Sequence, residues 1–423
     1  MPKSSPERTT LLRHLQPYRG GLWLAGASAV LGLALLPYAS YIAALPLIQQ
    51  EWGLTNVQAG AISVAAQIGY VVAVLLLLPL TDRLDARRML LFSTALTALA
   101  NALFPLVARD AVTGIVLRAL AGASHAGVYM PGMRLVAERY ASAHRGAAVG
   151  VYVSAFYLGN SVSLGVTGLL IPPLGWRGAY LAVSLAALSA ALVMFILAQG
   201  TRPSTAPRAT GRLNLAVLAN RPALLLILGY VCHSWELFVA RVWIGPFLAA
   251  VLLARGTPLV EATAIGAATA AVLHGAGVLG TSASGWVSDR LGRSATAAAI
   301  LAMSALCSLA FGWLFGAPWG LVLVVGLLFG ILIAADSPLY STGVTEVATP
   351  GHLGSTMAVQ SFAGFLASIP SPVVFGLILD TMGPGLGWGL GFASGGVAAA
   401  LGVAAMLALR RTPGAAQMAM GRR

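Results

Sequence analysis

The stretch VCHSWELFVARVW, residues 231–243, sets His233, Glu236 and Arg241 in the middle of an apolar run from Pro222 to Leu253. An imidazole, a carboxylate and a guanidinium can pass a proton or hold an anion. Each is costly in apolar surroundings, about 2.5–3.5 kcal/mol for a charged side chain on insertion scales, so such residues face a cavity or a partner. The ionisable residues inside long apolar runs form a short set: Arg118, His125, His233, Glu236, Arg241, His274 and Asp336. His233 and Glu236, three apart, share a helix face. Arg241 lies five beyond Glu236, ~140° further round at ~100° per residue. The two cannot pair neatly on a straight helix, so one of them points elsewhere or the helix is distorted. Arg118 and His125 are seven apart on one stripe, with Tyr129 just beyond.

The elements that position these groups follow from composition. Of 423 residues, 58% are hydrophobic and only 9% charged, with mean hydropathy +0.85. A soluble chain carries about 25% charged residues, so this is an integral membrane protein. Spans need roughly 20 apolar residues, and twelve such runs are present: 22–47, 57–80, 89–107, 112–135, 147–171, 178–199, 222–253, 261–284, 295–316, 318–341, 355–378 and 386–410. Their continuous hydropathy excludes an outer-membrane barrel. The first run lacks a convincing small-residue cleavage site and is expected to be retained as a span.

The net charge of +13 raises the question of nucleic acid, but its placement answers it. With the N-terminus in the cytoplasm, twenty of the 25 Lys and Arg fall on cytoplasmic segments. Arg109, Arg177 and Arg255 fall outside, and Arg118 and Arg241 lie within spans. This asymmetry predicts an inner-membrane, multi-pass protein with both termini cytoplasmic, in contact with lipid rather than nucleic acid. Cys232 and Cys307 both lie in spans and can build no disulfide framework or metal cluster. The His-x-x-Glu pair in HSWE has no second acid–histidine set, so no metal site is expected. No nucleotide loop or catalytic triad is present either, so the reading is of a non-enzyme without cofactor.

The chain divides into a six-span half over 1–199, a linker over 200–221 rich in Pro, Thr, Ala and Arg, and a second six-span half over 222–423. The halves are related. TDRLDARR at 81–88 recurs as SDRLGRSA at 288–295, an offset of 207; ERYASAHRGAAVG at 138–150 recurs loosely as EVATPGHLGSTMA at 346–358, an offset of 208. Duplication of a six-span unit, with a site between the halves, is a transporter architecture. GWVSDRLGR, Gly285 to Arg293, resembles the loop G-x-x-x-D-R-x-G-R of the major facilitator superfamily, matching at Gly285, Asp289, Arg290, Gly292 and Arg293. The first copy keeps Asp82, Arg83, Arg87 and Arg88, with Leu78 and Asp85 where the family prefers glycines. LRALAGASHAG, 117–127, resembles the fourth-span motif of the same family. The resemblance implies an all-α membrane fold of twelve transmembrane helices in two pseudo-symmetric bundles. In that fold the loop residues and Glu138 act as conformational gates. The physics agrees: Asp82 and Asp289 are placed to cap a neighbouring helix N-terminus, and the arginines to pair with acids such as Glu138.

What is moved follows from the interior charges. Two arginines and three histidines against two acids suit an anion, held bidentately by guanidinium. Arg118, His125, Tyr129, Asn160, Arg241 and His274 are the expected substrate ligands. His233, Glu236 and Asp336 are the expected proton carriers, with Glu236 balancing Arg241 in the empty cavity. Gly159, Gly165 and Gly168 permit close helix approach in span five. That span, YLGNSVSLGVTG, lacks the glycine–proline motif of the drug–proton antiporters, which weakens an exporter reading. The texture resembles the nitrate, nitrite and cyanate branch, but spans two and eight lack that branch's arginines, so a small carboxylate is as good a candidate as an inorganic anion. The expectation is a monomeric, proton-coupled secondary transporter of a small anion, working by alternating access. Its rivals are a proton-driven drug exporter and a non-transporting sensor on the same fold.

Overall fold

The computed structural model describes residues 21–81, 85–140, 142–199 and 215–421. Nine helical segments among them are long and apolar enough to cross a membrane. Two of these, Ala148–Gln199 and Leu353–Arg410, contain 52 and 58 residues. At 1.5 Å per residue each is far longer than a bilayer is thick, so each holds two passes. The segment 21–52 supplies one more, giving twelve passes among the described residues, six on each side of the linker. The fold is the expected one, two bundles of six helices in an all-α membrane protein.

The repeat is visible in backbone geometry. Within the fifth-to-sixth pass Gly175 has φ 66° and ψ 167°. Within the eleventh-to-twelfth pass Gly383 has φ 67° and ψ 173°. Both are left-handed breaks that favour glycine, and they lie 208 residues apart. Likewise helix Ala86–Val107 starts from Asp85 and helix Arg293–Phe311 from Gly292, 207 apart. The offsets read from the loops are those of the folded halves.

Several spans that read as single runs are broken. The first passes from Gly21–Ala34 through turns to Ser40–Ala43 and Leu45–Trp52. The tenth is interrupted at Asp336, between Trp319–Ala335 and Ser337–Val347, and the eleventh between Leu353–Ser368 and Ser371. Hydropathy is blind to such breaks because neighbouring helices re-satisfy the freed backbone groups without adding polar residues.

The halves touch at the end opposite the linker. Asp380, from the eleventh pass, accepts hydrogen bonds from Asn56 N and Nδ2 at 2.9 and 2.7 Å and from Val57 N at 2.9 Å. One carboxylate from the second half thus caps helix Asn56–Thr81 of the first. Gly60 and Gly376 allow the backbones to meet there: a Cβ on Gly60 would stand 2.6 Å from Pro372 O, and one on Gly376 2.3 Å from Asn56 O. Nearby, Gly168 and Gly165 of span five pack on Ala267 and Ala271 of helix Leu259–Leu291, the close approach their spacing predicts.

Candidate functional site

Arg118 comes from helix Ala111–Arg139 in the first half and Arg241 from helix Arg221–Leu253 in the second. Both line one central cavity, together with Asn160 and His274. It adjoins a second space lined by His125, Tyr129 and His233, and Arg241 faces both. The structure therefore brings all six expected substrate ligands to the interface between the halves.

Arg118 is 2% exposed. Its Nη1 donates to the carbonyl of Tyr38 at 3.2 Å and to the Tyr180 hydroxyl at 3.3 Å. That hydroxyl in turn donates to Asn101 Oδ1 at 3.1 Å. The Tyr41 ring lies 5.6 Å from the guanidinium, and Nε is buried without a partner. Arg241 sits between two rings, Phe238 at 5.3 Å and Tyr157 at 5.9 Å. Neither arginine is among the ion pairs formed by the described residues. His125, wedged between Tyr38 and Tyr70 at 5.5 and 6.4 Å, has both ring nitrogens unpartnered, as is Nε2 of His274. Asn160 donates to Phe156 O of its own helix at 2.9 Å, which leaves its carbonyl oxygen to the cavity.

Glu236 departs from expectation. It is fully buried and turned away from the cavity: its Oε2 accepts from Ser304 Oγ at 3.0 Å, and its stem packs beside Gly395. It does not balance Arg241, because a helix that aims Arg241 at the first half must aim a residue ~140° away at its own bundle. Its second oxygen, Oε1, has no hydrogen-bond partner.

His233, on the cavity wall, lies with Nδ1 2.8 Å from Asp336 Oδ1, both side chains 1% exposed. This is an ion-pair distance rather than an aligned hydrogen bond. Tyr340 donates to the other oxygen of Asp336 at 2.8 Å. The break in span ten therefore presents its carboxylate to the back of a cavity-lining imidazole. His233 and Glu236 share a face in sequence but meet different helices.

The loop charges are organised within each half. Arg293 pairs with Asp289 at 2.5 Å and with Glu346 at 3.2 Å, and donates to Ser288 Oγ. Glu346 holds the repeat position of Glu138. The guanidinium of Arg290 covers the Trp286 ring at 3.5 Å. Gly292 has φ 95°, and a Cβ on Gly285 would meet nothing within 4 Å. In the first copy the carboxylate that caps helix Ala86–Val107 is Asp85. It also pairs with Arg87 at 2.7 Å, and Arg87 reaches Ala198 O at 3.3 Å. Glu138 pairs with Arg134 of its own helix at 2.7 Å, and Arg88 is exposed. Asp82 and Arg83 lie outside the described residues.

Sequence reasoning missed the neutral half of the site. Tyr38, Gln67, Tyr157 and Phe238 line the cavity, and Tyr180 with Asn101 supports Arg118. Neutral residues in an apolar run carry no mark that separates a cavity wall from a lipid-facing or core position. Trp243, in the opening stretch, is a packing residue, fully buried and donating to Pro372 O at 3.1 Å.

Comparison with known proteins agrees with this architecture. A family model described as Major Facilitator Superfamily matches residues 22–258, more than half the chain. A probable sulfoacetate transporter of Cupriavidus necator is 27% identical over 398 residues, covering 88% of each chain. A probable L-galactonate transporter of Escherichia coli is 23% identical over 361 residues, 79% of this chain and 77% of that one. Among solved structures, a bacterial homologue of the human lysosomal transporter Spinster, inward-facing and occupied, superposes with TM-score 0.75 over 97% of this chain and 98% of that one, at 16% identity.

Proposed function

The chain belongs to the Major Facilitator Superfamily, and from that premise we propose that it carries an anionic organic solute across the membrane by alternating access. The observation that carries this reading is the pair Arg118 and Arg241, one from each half, lining one cavity with no Asp or Glu among its described lining residues. An anion held between them is bound by both bundles at once, so rocking of the halves carries it through the barrier. Two of the relatives are named as transporters of organic acids, which supports the same class. A cationic drug is disfavoured, since none of the described residues lining either space is Asp or Glu.

The seal made by Asp380 closes the end opposite the linker. With the linker and both termini cytoplasmic in the inner membrane, as the arginine asymmetry supports, that end is the outer one, so this reading is of a monomer closed to the outside. The expected gating role of the loop residues becomes an intra-bundle one in this reading, as Arg293 with Glu346 and Arg87 with the Ala198 carbonyl join elements of the same half. Arg88, Glu138, Gly285, Asp289, Arg290 and Gly292 belong to the same loops. Coupling to protons would run through His233, which links the cavity to Asp336, while Glu236 stands behind them.

The test is counterflow in proteoliposomes with labelled sulfoacetate and L-galactonate beside cationic dyes. An organic anion should exchange. Arg241→Lys, which keeps the charge but loses the planar fork, should weaken exchange. Arg241→Ala, in a well-folded preparation, should lower affinity about tenfold to a hundredfold, the value of one charged hydrogen-bonding group. Dye movement without anion movement would sink the reading.

A further inference from the structure

The space beside the arginines is walled by aromatic rings from both halves. Tyr70, Tyr129, Phe156 and Tyr157 come from the first half, and Tyr230 and Phe365 from the second. They are neither buried nor fully exposed, as rings that present a face to an open space must be. Tyr129 packs against Phe156 with centroids 5.2 Å apart, and Tyr70 against Phe365 at 5.9 Å. Arg241 is the only Lys, Arg, Asp or Glu among the described residues of this wall. Arg241 therefore supplies the fixed charge of this wall, and aromatic rings supply much of the rest.

A second observation concerns His125. It is 2% exposed, lines this space, and has both ring nitrogens without a partner. A buried polar group left unpaired costs free energy that a ligand's polar group could return. A short acyclic anion gripped by the arginines would leave this chamber unfilled. A second acid group projecting into it would meet no second arginine or lysine among the described residues.

Building on the anion reading above, we propose that the substrate is an aromatic monocarboxylate bearing a polar ring substituent. Its carboxylate lies at Arg241 and Arg118, its ring among the chamber's aromatic side chains, and its substituent within reach of His125. Aromatic pairs prefer offset or edge-to-face contacts and add stabilisation beyond the burial of area. The chamber offers such contacts from two bundles at once.

The probes are 4-hydroxybenzoate, benzoate, cyclohexanecarboxylate, acetate and sulfoacetate, with affinities measured on the purified full chain. 4-Hydroxybenzoate should bind at least tenfold more tightly than cyclohexanecarboxylate or acetate. Phe156→Leu and Tyr230→Leu should collapse that ratio, and His125→Leu should remove the preference for 4-hydroxybenzoate over benzoate. If sulfoacetate binds more tightly than 4-hydroxybenzoate, and does so through Arg241, the aromatic assignment falls while the anion reading stands. If no probe binds in an Arg241-dependent way, both fall. Thermal unfolding of each variant separates lost selectivity from lost folding.

Discussion

Arg118 is held in place without a carboxylate. The Tyr38 carbonyl and the Tyr180 hydroxyl accept from it, and Asn101 fixes that hydroxyl from behind. An acid partner would neutralise the charge an anion needs; a neutral scaffold orients it and leaves it available. Tyr180→Phe removes both hydrogen bonds and strands Asn101 Oδ1 in the interior. It should cost about 1–3 kcal/mol of stability, the usual penalty for an unsatisfied buried group, and weaken anion binding severalfold. Unfolding and binding measured on one sample check this; unchanged affinity would leave Tyr180 a packing residue. At the far end, partial burial pushes the Glu51 carboxyl up, but hydrogen bonds from Arg177 and Trp176 outweigh it and hold the group below the ordinary carboxylate range. The ionised form is thus favoured by folding. Its contribution is complete above the unfolded value of about 4.3 and is lost as pH falls through the lower folded value. Arg177→Gln should flatten the fall in Tm between about pH 6 and pH 3. The effect will be small, under about 1 kcal/mol, because the pair is solvent-exposed. A fall as steep as in the parent chain would mean that the pair contributes nothing.

At the scale of elements, the junction between halves rests on a helix end. The first backbone N–H groups of a helix have no partner within it, and Asp380 supplies one from the opposite bundle. The bond exists only while the halves are closed at that end, so it weights one conformation over another. Asp380→Ala removes a cap worth about 0.5–2 kcal/mol and should shift the population toward opening there. Spin labels at Thr55→Cys and Met382→Cys, read by pulsed dipolar spectroscopy, should then give longer and broader distances than in the parent. A distribution that does not move would show that Gly60 and Gly376 hold the seal by packing alone. Span ten is the other element whose detail governs the site, since its interruption at Asp336 brings a carboxylate to the back of His233.

At the scale of the whole molecule, uphill transport requires proton binding to change as the halves rock. Only groups in contact with the cavity can exchange protons with the open side. His233 with Asp336 meets that condition, and Glu236, paired with Ser304 inside its bundle, does not. Asp336→Asn should therefore abolish accumulation driven by a pH gradient while counterflow exchange continues. Glu236→Gln should keep accumulation and alter stability instead. The opposite pattern, accumulation lost in Glu236→Gln and kept in Asp336→Asn, would move the coupling role behind the cavity wall.

Composition and periodicity were enough for the membrane, the twelve passes, the duplication and the list of charged interior residues, because hydrocarbon penalises charge and unpaired backbone so heavily that every exception stands out in the sequence. The two arginines and three histidines were legible for that reason. Which way each side chain points was not. Glu236 and Arg241 are both costly in an apolar run, and only the packing of the bundles sends one to Ser304 and the other to the cavity. Tyr157, Phe238, Tyr180 and Asn101 carry no such penalty, so their roles became visible only when helices from distant parts of the chain met. The same holds for Asp380, an ordinary acid at a helix end until the fold sets it against the N-terminus of a helix 324 residues earlier. Long-range contacts of this kind are decided by packing between elements, and local sequence does not record them.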